Sequence, residues 1–130
     1  MIIDSSAIVA LLRNEIDASD IADIMEGAAV RRMSAANLLE ASIVADGTRN
    51  PLVSRRFDVL IDESELTIEP ITRIQALIAR QAYRDFGKGS GHPARLNFGD
   101  CFAYALAKAT GEPLLFKGDD FTHTDITPAL

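Results

Sequence analysis

Apolar residues along the chain follow two patterns, short continuous runs and longer stretches with helical spacing. The short runs predict buried strands at residues 1–4, 30–33, 66–68 and 113–116. The longer stretches repeat an apolar residue every three or four positions and predict helices over 5–13, 17–27, 35–46, 51–63, 72–86 and 98–110. Because helices separate the strands, the pattern predicts an α/β fold, a three-layer α/β/α sandwich around a short, mainly parallel sheet.

Functional sites in such sheets lie beyond the carboxyl ends of the strands. Asp4 stands at that place after the first strand, and the stretch KGDD at 117–120 stands there after the last one. One loop is also distinctive, because residues 87–96, GKGSGHPARL, contain three glycines and a proline together with Lys88 and Arg95.

Composition narrows the classes of protein that are compatible with this fold. The chain has 130 residues, which we expect to form a single domain over 1–130, and 48% of them are hydrophobic. No apolar run is long enough for a membrane span, and no basic segment precedes an apolar one at the start. The single cysteine, Cys101, has no internal disulfide partner, so we expect a cytoplasmic protein. A net charge of −6 disfavours nucleic-acid binding through bulk charge, but it is compatible with carboxylates that bind a divalent cation.

Each acidic residue near the predicted sheet edge also has a purely structural explanation. Asp4 could cap the helix that begins near Ser5. Glu40 shares a helix side with Ile43 and Val44, where a carboxylate is costly unless it is paired or can extend to solvent. Asp100 could stabilise the dipole at the start of its helix.

The acidic residues are stronger candidates for a functional site as a set than singly, because the fold would bring them to one end of the sheet. Asp119 and Asp120 follow the last strand, where turn formation alone would explain them. A cluster of carboxylates repels itself unless a cation is present, and oxygen ligands suit Mg²⁺ or Mn²⁺. Zinc is disfavoured, because the chain has no CxxC or HExxH motif and only two histidines.

Three stretches resemble the PIN-domain ribonucleases, and among them the VapC toxins of bacterial type II toxin–antitoxin systems. They read MIIDSSAIVALL at the start, MSAANLLEASIV around Glu40 and LNFGDCFAYALAKATGEPLLFKGDDFTHTDI near the end. By this resemblance Asp4, Glu40 and Asp100 match the acidic triad that binds Mg²⁺ or Mn²⁺. Asp119 matches a fourth acidic position, for which Asp120 is the alternative, and Ser6 matches a supporting hydroxyl residue beside the first aspartate.

The same resemblance implies an endoribonuclease toxin that cleaves RNA with water activated by a divalent cation. Candidate contacts to RNA phosphates are Lys88, Arg95 and Lys117, since such contacts position a strand without reading its bases. The implied partners are a small VapB-type antitoxin and a second copy of the chain, as a homodimer or within a toxin–antitoxin hetero-oligomer. The helical pair over 35–63 is the candidate antitoxin surface.

Two other functions fit parts of the sequence. A phosphatase of the haloacid dehalogenase type would use Asp4 as nucleophile, but that family needs a second aspartate where this chain has Ser6. A non-catalytic binding module of the same fold would show no affinity for Mg²⁺ or Mn²⁺ that depends on Asp4 or Asp100.

Overall fold

The computed structural model describes all residues from Met1 to Leu130 and contains a four-stranded parallel sheet. The strands are β1 (Ile2–Ile3), β2 (Arg32–Ser34), β3 (Thr67–Glu69) and β4 (Leu114–Leu115), in the order β3-β2-β1-β4. The helices are α1 (Ser5–Leu12), α2 (Ala18–Gly27), α3 (Ala35–Gly47), α4 (Pro51–Glu63), α5 (Arg73–Phe86) and α6 (Phe98–Thr110). Each pair of neighbouring strands is parallel, as the alternation of strands and helices predicted.

Two hydrophobic cores fill the spaces on either side of the sheet. Successive residues of a strand point to opposite faces, so Ile2 and Leu114 belong to one core and Ile3 and Leu115 to the other. The first core packs against α5 and α6, and the second packs against α1 to α4. The predicted three-layer α/β/α sandwich is confirmed.

One predicted strand is displaced along the chain. The apolar pattern placed it at 30–33, but β2 spans Arg32–Ser34 and Val30 is exposed. The register explains the shift, because Arg32 pairs with Ile2 of β1 and with Thr67 of β3. The other elements begin and end within one residue of their predicted bounds.

The glycine-rich loop is closed at its base by backbone pairing. Lys88 N donates to the carbonyl of Leu96 at 2.8 Å, and Leu96 N donates to the carbonyl of Phe86 at 2.8 Å. This pairing fixes the loop directly before α6, so the basic loop lies next to the helix that carries Asp100. None of the helices combines the length and the apolar character that crossing a bilayer requires.

Candidate active site

The carboxyl edge of the sheet brings the predicted acidic residues together. Asp4 follows β1 directly, α3 with Glu40 begins directly after β2, and Asp119 and Asp120 follow β4. Helix α6 precedes β4 in the chain and runs antiparallel to the strands. Its first turn, which contains Asp100, therefore lies at the same edge.

Asp4 is held at the exit of β1 by both its backbone and its side chain. Its N–H donates to the carbonyl of Leu115 at 2.9 Å, and its Oδ2 accepts the backbone N–H of Ser6 at 3.0 Å. Burial raises the pKa of Asp4 to about 6, against the lowering effect of the hydrogen bonds from Ser6, and the nearby charge of Glu40 raises it further. The capping role proposed from the sequence is therefore real, but it uses only one of the two carboxylate oxygens, because Oδ1 is buried without a partner.

Asp100 lies in the first turn of α6 and forms a reciprocal cap with Asn97. Asp100 N donates to Asn97 Oδ1 at 2.9 Å, and Asn97 N donates to Asp100 Oδ2 at 2.9 Å. Burial raises the pKa of Asp100 to about 7, and the negative charges of Asp4, Asp120 and Glu40 add to this increase. Three elements of the fold therefore place acidic groups within electrostatic reach of this side chain.

Glu40 is half-buried and faces the start of α6. Its Oε1 accepts hydrogen bonds from Ser5 Oγ and, at 3.3 Å, from Asn37 Nδ2. A Cβ atom built on Gly99 would lie 1.9 Å from Glu40 Oε2, so the carboxylate rests directly on the backbone of α6. The side chain is thus turned toward Asp100 rather than extended into solvent.

The sequence predicts Asp119 at the fourth acidic position, with Asp120 as the alternative. Both residues are exposed and line the same cleft. The charge of Asp120 adds to the raised pKa of Asp100. The carbonyl of Asp119 accepts the N–H of Thr122 at 3.0 Å, so Asp119 also begins a turn. The identity of the fourth acid stays a prediction.

Ser6 supports the site from the start of α1. Beyond its hydrogen bonds to Asp4, its Oγ accepts the backbone N–H of Lys117 at 2.9 Å. This contact fixes the segment that follows β4 against the segment that follows β1. The supporting role that the family resemblance implies for Ser6 stays a prediction.

The donor chemistry of this edge fits a hard divalent cation. The unpartnered, buried Oδ1 of Asp4 and the mutual repulsion around Asp100 are both features that a cation would relieve. The structure contains no group of three or more Asp, Glu, His or Cys side chains arranged to hold a metal ion. Mg²⁺ does not need such a group, because it keeps several waters and is usually bound through one or two carboxylates.

A cleft of about 320 Å³ joins the acidic edge to the glycine-rich loop. Lys88 and Arg95 line it together with Asn97, Asp120 and other residues. Both basic side chains are exposed, and neither has an ion-pair partner in the structure. The cleft therefore places two cationic groups beside the carboxylates.

Lys117 does not join this group of basic residues. Its Nζ makes ion pairs with Glu15 at 2.5 Å and with Asp17 at 2.9 Å, in the segment between α1 and α2. Because two carboxylates pair with Lys117, an RNA phosphate would compete with them for its charge, and the RNA contact at Lys117 stays a prediction.

Three residues of the site were missed by the reading of the sequence. Asn37 and Gly99 act through contacts between α3 and α6, which no local pattern reveals. Asn97 had a readable signal, because N-x-x-D before an apolar helix is the sequence signature of a capping box.

Cys101 is buried, and burial raises the pKa of its thiol to about 11, so it is not a reactive thiolate.

Comparison with protein families matches residues 1–126 of the chain to the PIN domain. Among curated proteins, the chain is 58% identical over 130 residues to the Mycobacterium tuberculosis protein named ribonuclease VapC28, covering 100% of this chain and 98% of that protein.

Solved structures of low sequence identity share the fold. The crystal structure of M. tuberculosis VapC20, titled a sarcin-ricin loop cleaving toxin, superposes with a TM-score of 0.73 at 14% identity and covers 97% of this chain and 95% of that one. A toxin–antitoxin complex from Klebsiella pneumoniae gives a TM-score of 0.71 at 14% identity, covering 95% of this chain and 92% of that one.

Proposed function

The chain belongs to the PIN-domain family and, within it, to the VapC ribonucleases, and on this premise we propose that it is the toxin of a type II toxin–antitoxin system that hydrolyses RNA at its acidic edge. The observation that carries the proposal is the shared electrostatic field of Asp4, Glu40, Asp100 and Asp120. Helix capping accounts for Asp4 and Asp100 one at a time, but it does not account for four carboxylates at one edge. Their placement is explained by a cation that takes part in phosphodiester hydrolysis.

PIN-domain ribonucleases use divalent metal ions, and for this chain we propose Mg²⁺, with Mn²⁺ as a substitute. Asp4 and Asp100 would be its principal protein ligands, and Glu40 and Asp120 would bind through water. When bound, such an ion lowers the pKa of a water molecule and offsets the charge that develops on the phosphate. The hydrogen bonds from Ser6 and Asn97 hold the two principal carboxylates in place.

The cleft beside the acids suits an RNA backbone on its way to the site. Lys88 and Arg95 would contact phosphates that flank the scissile one, while Asp120 lines the same cleft and its charge acts on Asp100. Such contacts hold the strand in register and carry no base specificity. They would let a chain with a net charge of −6 bind RNA through two local cationic groups rather than through bulk charge.

We propose a VapB-type antitoxin as the protein partner, and its binding surface as the groove between α1 and α4. This groove is lined by four apolar residues, two arginines and one glutamate: Leu11, Leu12, Val59, Leu60, Arg55, Arg56 and Glu63. The helix α4 belongs to the pair over 35–63 that was predicted for this role, whereas α3 does not line the groove. A homodimer, a single domain over 1–130 and a cytoplasmic location complete the proposal.

Induced expression with mapping of new RNA 5′ ends tests the activity. We expect growth arrest and a recurrent cleavage site with the wild-type chain, and neither with Asp4→Asn or Asp100→Asn. The matched control is Asp58→Asn, which removes an exposed carboxylate from α4 and should cleave as the wild type does.

Two results would contradict the proposal. Equal cleavage by the wild type and both variants would remove the acidic edge from the reaction. Absence of RNA cleavage, together with no Mg²⁺ or Mn²⁺ affinity that depends on Asp4 or Asp100, would favour the non-catalytic binding module. The phosphatase alternative predicts an acid-stable intermediate on Asp4, and the family comparisons give it no support.

A further inference from the structure

Asn37 belongs to α3 and is fully buried where α3 packs against α6. It is not one of the acidic residues of the site. Its Nδ2 donates to Glu40 Oε1 at 3.3 Å and to the backbone carbonyl of Gly99 at 3.0 Å. One amide therefore connects the helix that carries Glu40 with the first turn of the helix that carries Asp100.

Gly99 lies against the Glu40 carboxylate on the side of α6. The distance of 1.9 Å between a built Cβ at this position and Glu40 Oε2 shows that any side chain here would displace the carboxylate. The atom in the way is the end of a flexible side chain, so Glu40 could move aside while the fold remains intact. Ser5 Oγ supplies a further hydrogen bond to Oε1.

Fold stability alone does not explain the presence of Asn37. Its Oδ1 is buried and has no hydrogen-bond partner. A buried amide that is only half satisfied is less favourable than an apolar side chain of similar volume. The property that an apolar residue would lack is the donor that is directed at Glu40.

We propose that Asn37 is a positioning residue, which together with Gly99 holds the Glu40 carboxylate toward the cation. The inference rests on the proposed function and deepens it by assigning the support of one ligand group. Residues that orient metal ligands without touching the metal change metal affinity by roughly 10-fold to 100-fold when they are mutated. We expect losses of metal affinity in the same range when Asn37 or Gly99 is substituted.

The test is the affinity of the purified, metal-free full chain for Mn²⁺, measured by isothermal titration calorimetry. We expect Asn37→Ala and Gly99→Ala each to weaken Mn²⁺ binding by about 10-fold or more. In a Glu40→Ala background, neither substitution should change the Mn²⁺ affinity further. In that background Gly99→Ala should raise the melting temperature, because the clash is gone and alanine is the better helix former.

Asn50→Ala is the matched control. Asn50 is the N-cap of α4 and lies beyond the C-terminal end of α3, so the substitution removes a capping asparagine away from Glu40. It should lower the melting temperature and leave Mn²⁺ affinity unchanged. Where the cavity of Asn37→Ala prevents folding, Asn37→Leu has a similar volume and also lacks the donor.

The outcomes separate this inference from the proposed function. Wild-type affinity in both the Asn37 and Gly99 variants would overturn the positioning role, and so would an equal loss of affinity in the Glu40→Ala background. A wild-type chain that binds no Mn²⁺ would overturn the proposed metal site and the inference with it.

Discussion

At the residue scale, Asp4 and Asp100 are the carboxyl groups whose proton binding the fold changes most. Burial raises the pKa from 3.8 to about 6 for Asp4 and to about 7 for Asp100. A carboxyl group whose pKa is higher in the folded chain binds its proton more tightly there than in the unfolded chain. The contribution of these two groups to the free energy of unfolding of the metal-free protein therefore falls as the pH rises from about 4 to about 7.

This linkage predicts that Asp4→Asn stabilises the metal-free chain. At pH 8 and in excess EDTA, we expect its free energy of unfolding to exceed that of the wild type by about 2 kcal/mol, because the buried charge is removed. The difference should narrow as the pH falls toward 4, where Asp4 is protonated. Urea unfolding across this pH range measures it, and a variant that is no more stable than the wild type at pH 8 would contradict the origin assigned to the pKa shift.

Lys88 and Arg95 make a second prediction at this scale. In an Asp100→Asn background, which leaves RNA uncleaved, Lys88→Ala and Arg95→Ala should each weaken binding of a single-stranded RNA. Each should also reduce the slope of log affinity against log salt by about 1, because one phosphate contact is lost.

Arg73→Ala controls for the change in net charge, because Arg73 is exposed at the opposite end of α5. It should leave the slope unchanged. An equal reduction in all three variants would mean that RNA senses only the total charge of the chain.

Residue types and their neighbours marked Asp4, Glu40 and Asp100 as candidates, because a carboxylate beside an apolar run is unusual in sequence. Their role as one acidic set came from the family resemblance, since each also has a structural explanation. Asn37 and Gly99 could not be found, because their contacts depend on the packing of α3 against α6. The ion pairs of Lys117 could not be predicted for a related reason, since its partners Glu15 and Asp17 are about a hundred residues away along the chain.

At the scale of elements, helix ends were predictable and the bounds of one strand were not. Asn50-Pro51 and Gly111 mark a helix start and a helix end through local backbone chemistry, and the structure confirms both. The bounds of β2 depend on pairing with β1 and β3, which shifts the strand two residues beyond Val30. Tertiary pairing therefore overrode the local apolar pattern.

The capping box of α6 gives a prediction for a whole element. Asn97→Ala removes the side-chain acceptor for Asp100 N, so the free energy of unfolding should fall by about 1 kcal/mol. Urea unfolding at pH 8 measures this. Asn97→Ser retains an acceptor and should recover most of the loss, whereas equal losses in the two variants would show that the cap itself does not contribute.

At the scale of the whole molecule, a short parallel sheet collects groups from distant parts of the sequence at one edge. The alternation of strands and helices predicted that edge before any contact was known, because carboxyl ends of parallel strands meet there. What it could not predict was the balance of charges within the edge, including the raised pKa of Asp100. That balance is set by burial and by the loop after β4.

At one edge of the sheet the fold gathers carboxylates that repel one another, and we propose that a divalent cation binds among them. Anomalous diffraction from crystals of the full chain soaked in Mn²⁺ would locate that ion. We expect a manganese peak in contact with Asp4 and Asp100 in the wild type, and its loss in Asp4→Asn. A manganese peak elsewhere, or none at this edge in a well-ordered wild-type crystal, would refute the proposed metal site.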